Sequence, residues 1–177
     1  VMTTTQTLPR EALTIFYSLL GHLEEEAKLF ERLAELLDSE CNVLRSLRAP
    51  GLGDVNREKE RVLELIDRVA SARAGSVEEL TEHLGMAGPE LTISRLLEGL
   101  PPVEHRCLSD ARDRLLCVAR MVKKRGEISE RLLSVSLDAI HGVLRLLQQE
   151  ATAPHQVYGD EGAVAVHGTG IVFRHTA

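Results

Sequence analysis

The sequence predicts an all-α protein, an elongated antiparallel helical hairpin or coiled-coil bundle with a short plug helix and a flexible carboxy-terminal tail. Three observations carry that expectation. Apolar residues in the first third recur at alternating spacings of three and four; glycine and proline divide the rest into helix-length pieces. Aromatic residues make up 3% of the chain and Trp is absent, so the core rests on Leu, Val, Ile and Ala, the usual material of helical bundles.

The first helix is marked by Leu13, Phe16, Leu20, Leu23, Ala27, Phe30, Ala34, Leu37, Cys41 and Leu44, an unbroken heptad seam. Thr7 is its expected cap, with Pro9 in the first turn, and Pro50, Gly51 and Gly53 close it. A helix of roughly 40 residues, rising about 1.5 Å each, is about 60 Å long, which predicts an elongated particle.

Asp54 is the expected N-cap of a second helix, in which Val62, Ile66 and Val69 continue the spacing. The short connection implies an antiparallel hairpin. Gly75 is expected to end that helix, and Ser76 with Glu79 to form a capping box for a short third helix stopping at Gly85. The stretch GPELTISRLLEGLPP then predicts a helix of about ten residues. Its crowded Leu91, Ile93, Leu96, Leu97 and Leu100 suit a plug at one end of the bundle.

From Val103 to about Gln149 the pattern is helical again. Leu108, Ala111, Leu115, Val118 and Val122 form one seam, and Gly126 offers a place for a kink. Beyond Gly126 two apolar stripes run side by side: Leu132, Val135, Ala139, Val143 and Leu146 on one, Leu133, Leu137, Ile140, Leu144 and Leu147 on the other. That face is wider than a single neighbouring helix needs. It reads either as an internal bundle position covered by the first helix or as a surface awaiting a partner. Residues 1–150 therefore form the helical domain and 151–177 a Gly/Val-rich tail. The tail's AVAVHGTGIVF lacks an evident partner strand and is expected to be mobile in the free protein.

Composition also bounds function. A formal net charge of -6 disfavours nucleic acid or an anionic membrane as the main partner. The amino terminus lacks the pattern of a secretory leader, and no stretch nears eighteen uncharged apolar residues. Cytoplasmic localisation without membrane insertion is expected. Cys41, Cys107 and Cys117 are too scattered for a disulfide or zinc framework and read as buried small hydrophobes.

An enzyme of the di-iron kind needs core carboxylates and Glu-x-x-His pairs. The first-helix seam has none, with Glu24, Glu25, Glu26, Glu31, Glu35 and Glu40 expected on flanking or outer positions. Asp138 with His141, and the tail histidines His155, His167 and His175, are weak candidates for a metal. The expectation is a binding protein with no catalytic, cofactor or metal site.

Three stretches carry a resemblance to a known family. EEEAKLFERLAELLDSECNVLRS with VNREKERVLELIDRV, LTISRLLEGLPP, and ISERLLSVSLDAIHGVLRLL with VYGDEG resemble the successive elements of the FlgN family of flagellar export chaperones. The resemblance implies a protein that holds hook-filament junction (hook-associated) proteins in the cytosol and delivers them to the export apparatus. Amphipathic terminal helices of such clients need a surrogate helix before assembly. The stripe Leu133, Leu137, Ile140, Leu144 and Leu147 is then the expected client surface. Tyr158, Ile171, Val172 and Phe173 in the tail are expected to dock on a client or an export gate component, or to cover the stripe. A generic helical adaptor without an export role is the alternative, and the sequence is compatible with a homo-oligomer in the free state.

Overall fold

The computed structural model describes residues 8–46, 51–86, 92–152, 155–158 and 164–167, the side chains of 150–152 and of 155–158 and 164–167 excepted. Four helices follow one another: α1 (Arg10–Arg45), α2 (Leu52–His83), α3 (Ile93–Gly99) and α4 (Pro102–Thr152). Two short strands, β1 (His155–Tyr158) and β2 (Val164–His167), pair antiparallel with Tyr158 opposite Val164. The chain divides into two compact units, residues 1–130 and 131–177.

In the first unit α1, α2 and the early part of α4 pack on one another, with α3 at one end. α1 and α2 are antiparallel: Glu26 meets Arg73 and Glu40 meets Lys59, both at 2.6 Å. α4 runs in the direction of α1, since Arg114 pairs with Glu31 at 3.0 Å and Arg125 with Asp38 at 2.7 Å. One core cluster joins Ala12, Phe16, Leu19 and Leu23 of α1 to Val77 and Leu80 of α2, Leu96 and Leu97 of α3, and Leu108 of α4. Leu96 is fully buried there, as a plug requires. A second cluster joins Leu33, Leu36 and Leu37 to Val62 and Ile66, with Val122 packed against it.

Several boundaries differ from the sequence expectation. α1 has Pro9 at its N-cap and ends at Arg45, and Thr7 lies outside the described residues. Gly51, not Asp54, caps α2; Asp54 sits in the first turn, paired with Arg57, where a carboxylate favours the helix dipole.

The larger correction concerns Gly75, which does not end α2. The helix continues through it to His83, and no separate helix starts at Ser76. Glycine costs a helix about 1 kcal/mol relative to alanine, whereas continuing one turn further buries Val77 and Leu80. Burial of two such side chains is worth roughly 3 to 6 kcal/mol, and packing overrides propensity. α2 itself ends just before Gly85, the stop expected of a separate third helix. The φ of 63° at Gly85 lets the Met86 amide donate to Thr81 O and the Gly85 amide to Glu82 O, both at 3.0 Å, the pattern of a Schellman cap.

The plug is shorter than expected: Thr92 caps α3, its side chain accepting from the Arg95 amide, and the helix has 7 residues. α4 passes through Gly126 without interruption. The tail does contain a partner strand for Val164–His167, namely His155–Tyr158. Two β-prone runs separated by five Gly-containing residues are a hairpin signal, although an isolated hairpin is marginal by itself.

Candidate partner-binding surface

Burial along α1 is broader than one seam. Phe16, Leu23, Ala27, Ala34, Leu37 and Cys41 are buried as the seam predicts, and Leu13, Leu20, Phe30 and Leu44 are half-buried. A second row at strict seven-residue intervals, Ala12, Leu19, Glu26, Leu33 and Glu40, is buried too. α1 meets three other helices, so a single stripe cannot cover its contacts.

That second row takes in Glu26 and Glu40, which flank the first seam as expected but are not at the surface. Both are buried, 5% and 6% exposed, and both are satisfied. Arg73 Nε donates to Glu26 Oε2 at 2.6 Å. Lys59 Nζ and Ser129 Oγ donate to the two oxygens of Glu40, each at 2.6 Å. Ser76 Oγ lies 3.2 Å from His22 Nδ1 on the same α1–α2 interface. The two carboxylates are fourteen residues apart on α1, and their partners fourteen apart in the reverse direction on α2. A one-heptad slip would strand both buried anions, a register-setting use of charge. The sequence signal was present: each glutamate falls in line with an apolar residue seven positions away.

α4 changes character along its length. Leu108, Val118 and Ser129 are buried, with Ala111, Leu115 and Val122 half-buried. Beyond Ser129 no described residue of α4 is buried. Within the second unit Leu133, Leu137, Ile140, Leu144 and Leu147 are 38%, 46%, 53%, 49% and 56% exposed. The neighbouring stripe is at least as open: Val135 is 67%, Val143 56% and Leu146 62% exposed. Ala139 is exposed as well, and Leu132 is half-buried.

At 100° per residue the ten positions fill one continuous arc of about 200°. Arg131, Ser134, Asp138, His141 and Arg145 share the opposite side. Ser136 alone interrupts the apolar arc, and its hydroxyl is satisfied by the Leu132 carbonyl at 2.8 Å. The face thus offers apolar surface with no unmet polar group of its own, suited to packing an apolar helix and unsuited to acid–base or metal chemistry.

Tyr158 lies in β1, and Ile171, Val172 and Phe173 lie outside the described residues. Asp138 and His141 are both exposed on α4. Cys41 is buried, but Cys107 and Cys117 are exposed, which corrects the expectation that all three are core residues: both precede a buried position of α4, Leu108 and Val118, by one residue and so point about 100° away from it. No described helix is long and apolar enough to cross a membrane.

A helical chain with an open apolar arc is a chaperone's or an adaptor's architecture, and comparison with known families separates the two. The family described as FlgN protein matches residues 16–165. The chain belongs to the FlgN family. FlgN proteins are chaperones of flagellar export, which bind export substrates. No curated protein and no solved structure matches this FlgN chain. The matched span runs from Phe16 within α1 through α2, α3, α4 and β1, so both the buried glutamates and the open arc of α4 belong to the FlgN part of the sequence.

Proposed function

We propose that this FlgN chain is a cytosolic chaperone that packs the amphipathic terminal helices of hook-filament junction proteins against α4 and hands these clients to the export apparatus. The open arc between Arg131 and Gln149 is the observation that supports this reading. Large aliphatic side chains left half exposed along a helix gain by covering. A client helix that is apolar on one face needs such cover before it is assembled.

Magnitude limits what one stripe can do. Fully burying a leucine-class side chain is worth about 1.5 to 3 kcal/mol. Five residues that are about half exposed therefore hold roughly 4 to 8 kcal/mol in reserve, comparable with the cost of association itself. Covering one stripe alone gives at best a weak complex; both stripes together roughly double the gross gain.

In this reading the tail beyond Ala151, through Tyr158 and the Ile171–Phe173 cluster, contacts either the client or an export gate component. Deleting 151–177 discriminates these: a gate contact loses export and keeps client binding, a contact on the client loses affinity, and a tail that shields α4 gives tighter client binding when removed.

The test of the client surface is titration of a purified, unassembled junction protein into the wild-type chaperone and into Leu137→Asp. An unpaired carboxylate in an apolar interface should weaken binding by about tenfold or more, while helicity and melting are unchanged because Leu137 is exposed. Unaltered affinity would move the client site elsewhere. Loss of the fold would make the stripe part of the chaperone's own core.

A further inference from the structure

We propose that the two-stranded ribbon after α4 binds a divalent transition ion, zinc, nickel or copper, through His155 and His167. Strand register carries this site, independently of the chaperone reading. β1 pairs with β2 so that His155 stands opposite His167, followed by Gln156 opposite Val166, Val157 opposite Ala165 and Tyr158 opposite Val164. The alternation of a strand places His155, Val157, Ala165 and His167 on one face of the ribbon and the other four residues on the reverse face. Twelve positions separate the two histidines along the chain, a spacing that marks no metal motif in sequence; the pairing of the strands brings them together.

Directly opposed residues of an antiparallel pair have Cβ atoms about 4.5 to 5.5 Å apart. Paired imidazoles at that separation span one ion, whose bonds to nitrogen are about 2.0 to 2.1 Å long. Neutral imidazole is a ligand for zinc, nickel and copper. Within the strands the same face adds Val157 and Ala165, which offer no side-chain oxygen for magnesium or calcium. Water fills the remaining coordination positions. Among the described residues no group of three or more His, Cys, Asp or Glu is placed to hold a metal, so the described part of the helices offers no competing cluster.

An ion at this place acts on the ribbon's own stability. The histidines form the pair farthest from the connecting residues 159–163, at the end where a short ribbon frays. Two strands of four residues each are marginal in water without further support, and opposed histidines repel whenever both are protonated. An ion held across the open end closes the loop from Gln156 to Val166, and its binding free energy becomes folding free energy of the ribbon. The segment that follows the end of α4 at Thr152 is thereby ordered by the ion.

The test is calorimetric titration of Zn²⁺ into the full, untagged chain, with Mg²⁺ as the control ion, amide exchange of β1 and β2 as the readout of the ribbon, and far-UV circular dichroism as the check that the helices are unchanged. We expect the wild-type chain to bind a single Zn²⁺ and no Mg²⁺, with slower exchange in both strands when Zn²⁺ is present. His155→Gln and His167→Gln should each weaken binding by about tenfold or more, because one imidazole no longer raises the effective concentration of the ion at the other. His155→Gln combined with Gln156→His keeps the number of histidines and moves one to the reverse face; it should lose as much. His175→Gln should change the affinity by less than about threefold. A wild-type affinity no tighter than that of the chain carrying both His155→Gln and His167→Gln would overturn the site. So would wild-type affinity in the face-exchanged variant, which would make the binder a flexible chelate instead of the ribbon, or a loss on His175→Gln equal to that on His167→Gln.

Discussion

Ser129 on α4 donates a hydrogen bond of 2.6 Å to Glu40 on α1, a carboxylate that Lys59 of α2 holds from its other oxygen. One buried anion therefore ties three helices together at the last buried position of α4. Lys59→Met would leave Glu40 without its countercharge. Breaking a buried pair costs about 3 to 5 kcal/mol; Lys59 keeps a 20% exposed side chain, so a loss of about 2 to 4 kcal/mol is expected. Ser129→Ala should cost about 1 to 3 kcal/mol, and Glu40→Leu with Lys59→Met together, which leaves the Ser129 hydroxyl without its acceptor but no unpaired charge, should be less damaging than Lys59→Met alone. Urea unfolding of the three variants checks the ranking; a double substitution as damaging as Lys59→Met alone would contradict it.

The plug helix is structural in this account. Leu96 is fully buried in the cluster shared by all four helices, so Leu96→Ala should lower stability by about 2 to 4 kcal/mol. Client affinity, measured where the variant is still folded, should stay within about threefold of wild type. Normal melting with lost binding would make α3 part of the interface.

Two glycines should respond to alanine in opposite directions. Gly75 is helical with open space where a Cβ would lie, so Gly75→Ala should stabilise by about 0.5 to 1 kcal/mol. Gly85 has a positive φ, and alanine there should cost about 1 to 2 kcal/mol. Midpoints of urea denaturation read both; a destabilising Gly75→Ala would mean that α2 bends or opens at that point.

Thiol reactivity should separate the cysteines. Cys107 and Cys117 are exposed and Cys41 is buried. A disulfide reagent should modify two thiols rapidly in the native protein and the third only on unfolding. Three fast thiols would show that the α1 face around Cys41 opens readily.

Much of the fold could be read from residue spacing, because long amphipathic helices declare themselves over many turns. The α1 seam from Phe16 to Cys41, the plug leucines Leu96 and Leu97, the stop at Gly85 and both stripes of α4 all follow from periodicity and helix punctuation. The misses have a common origin in tertiary contact. Gly75 was read by its local propensity, but Val77 and Leu80 fall on the same buried face as Val62, Ile66 and Val69 and carry α2 past it. Glu26 and Glu40 fall beside the seam, and spacing along α1 does not show that they are buried, because their partners lie 47 and 19 residues away. Whether the α4 stripes were covered or open could not be decided by spacing either. Leu115 and Leu144 look alike in sequence, yet one is half-buried and the other exposed, since only the first has helices of its own unit against it.

Amide hydrogen exchange with and without an unassembled hook-filament junction protein tests the client surface most directly. On this account, client binding should slow exchange along 131–149 of α4, where the described side chains are open. Exchange through the α1–α2 interface around Glu26 and Glu40 should change little. Protection confined to residues 10–83, with 131–149 exchanging as in the free protein, would contradict it.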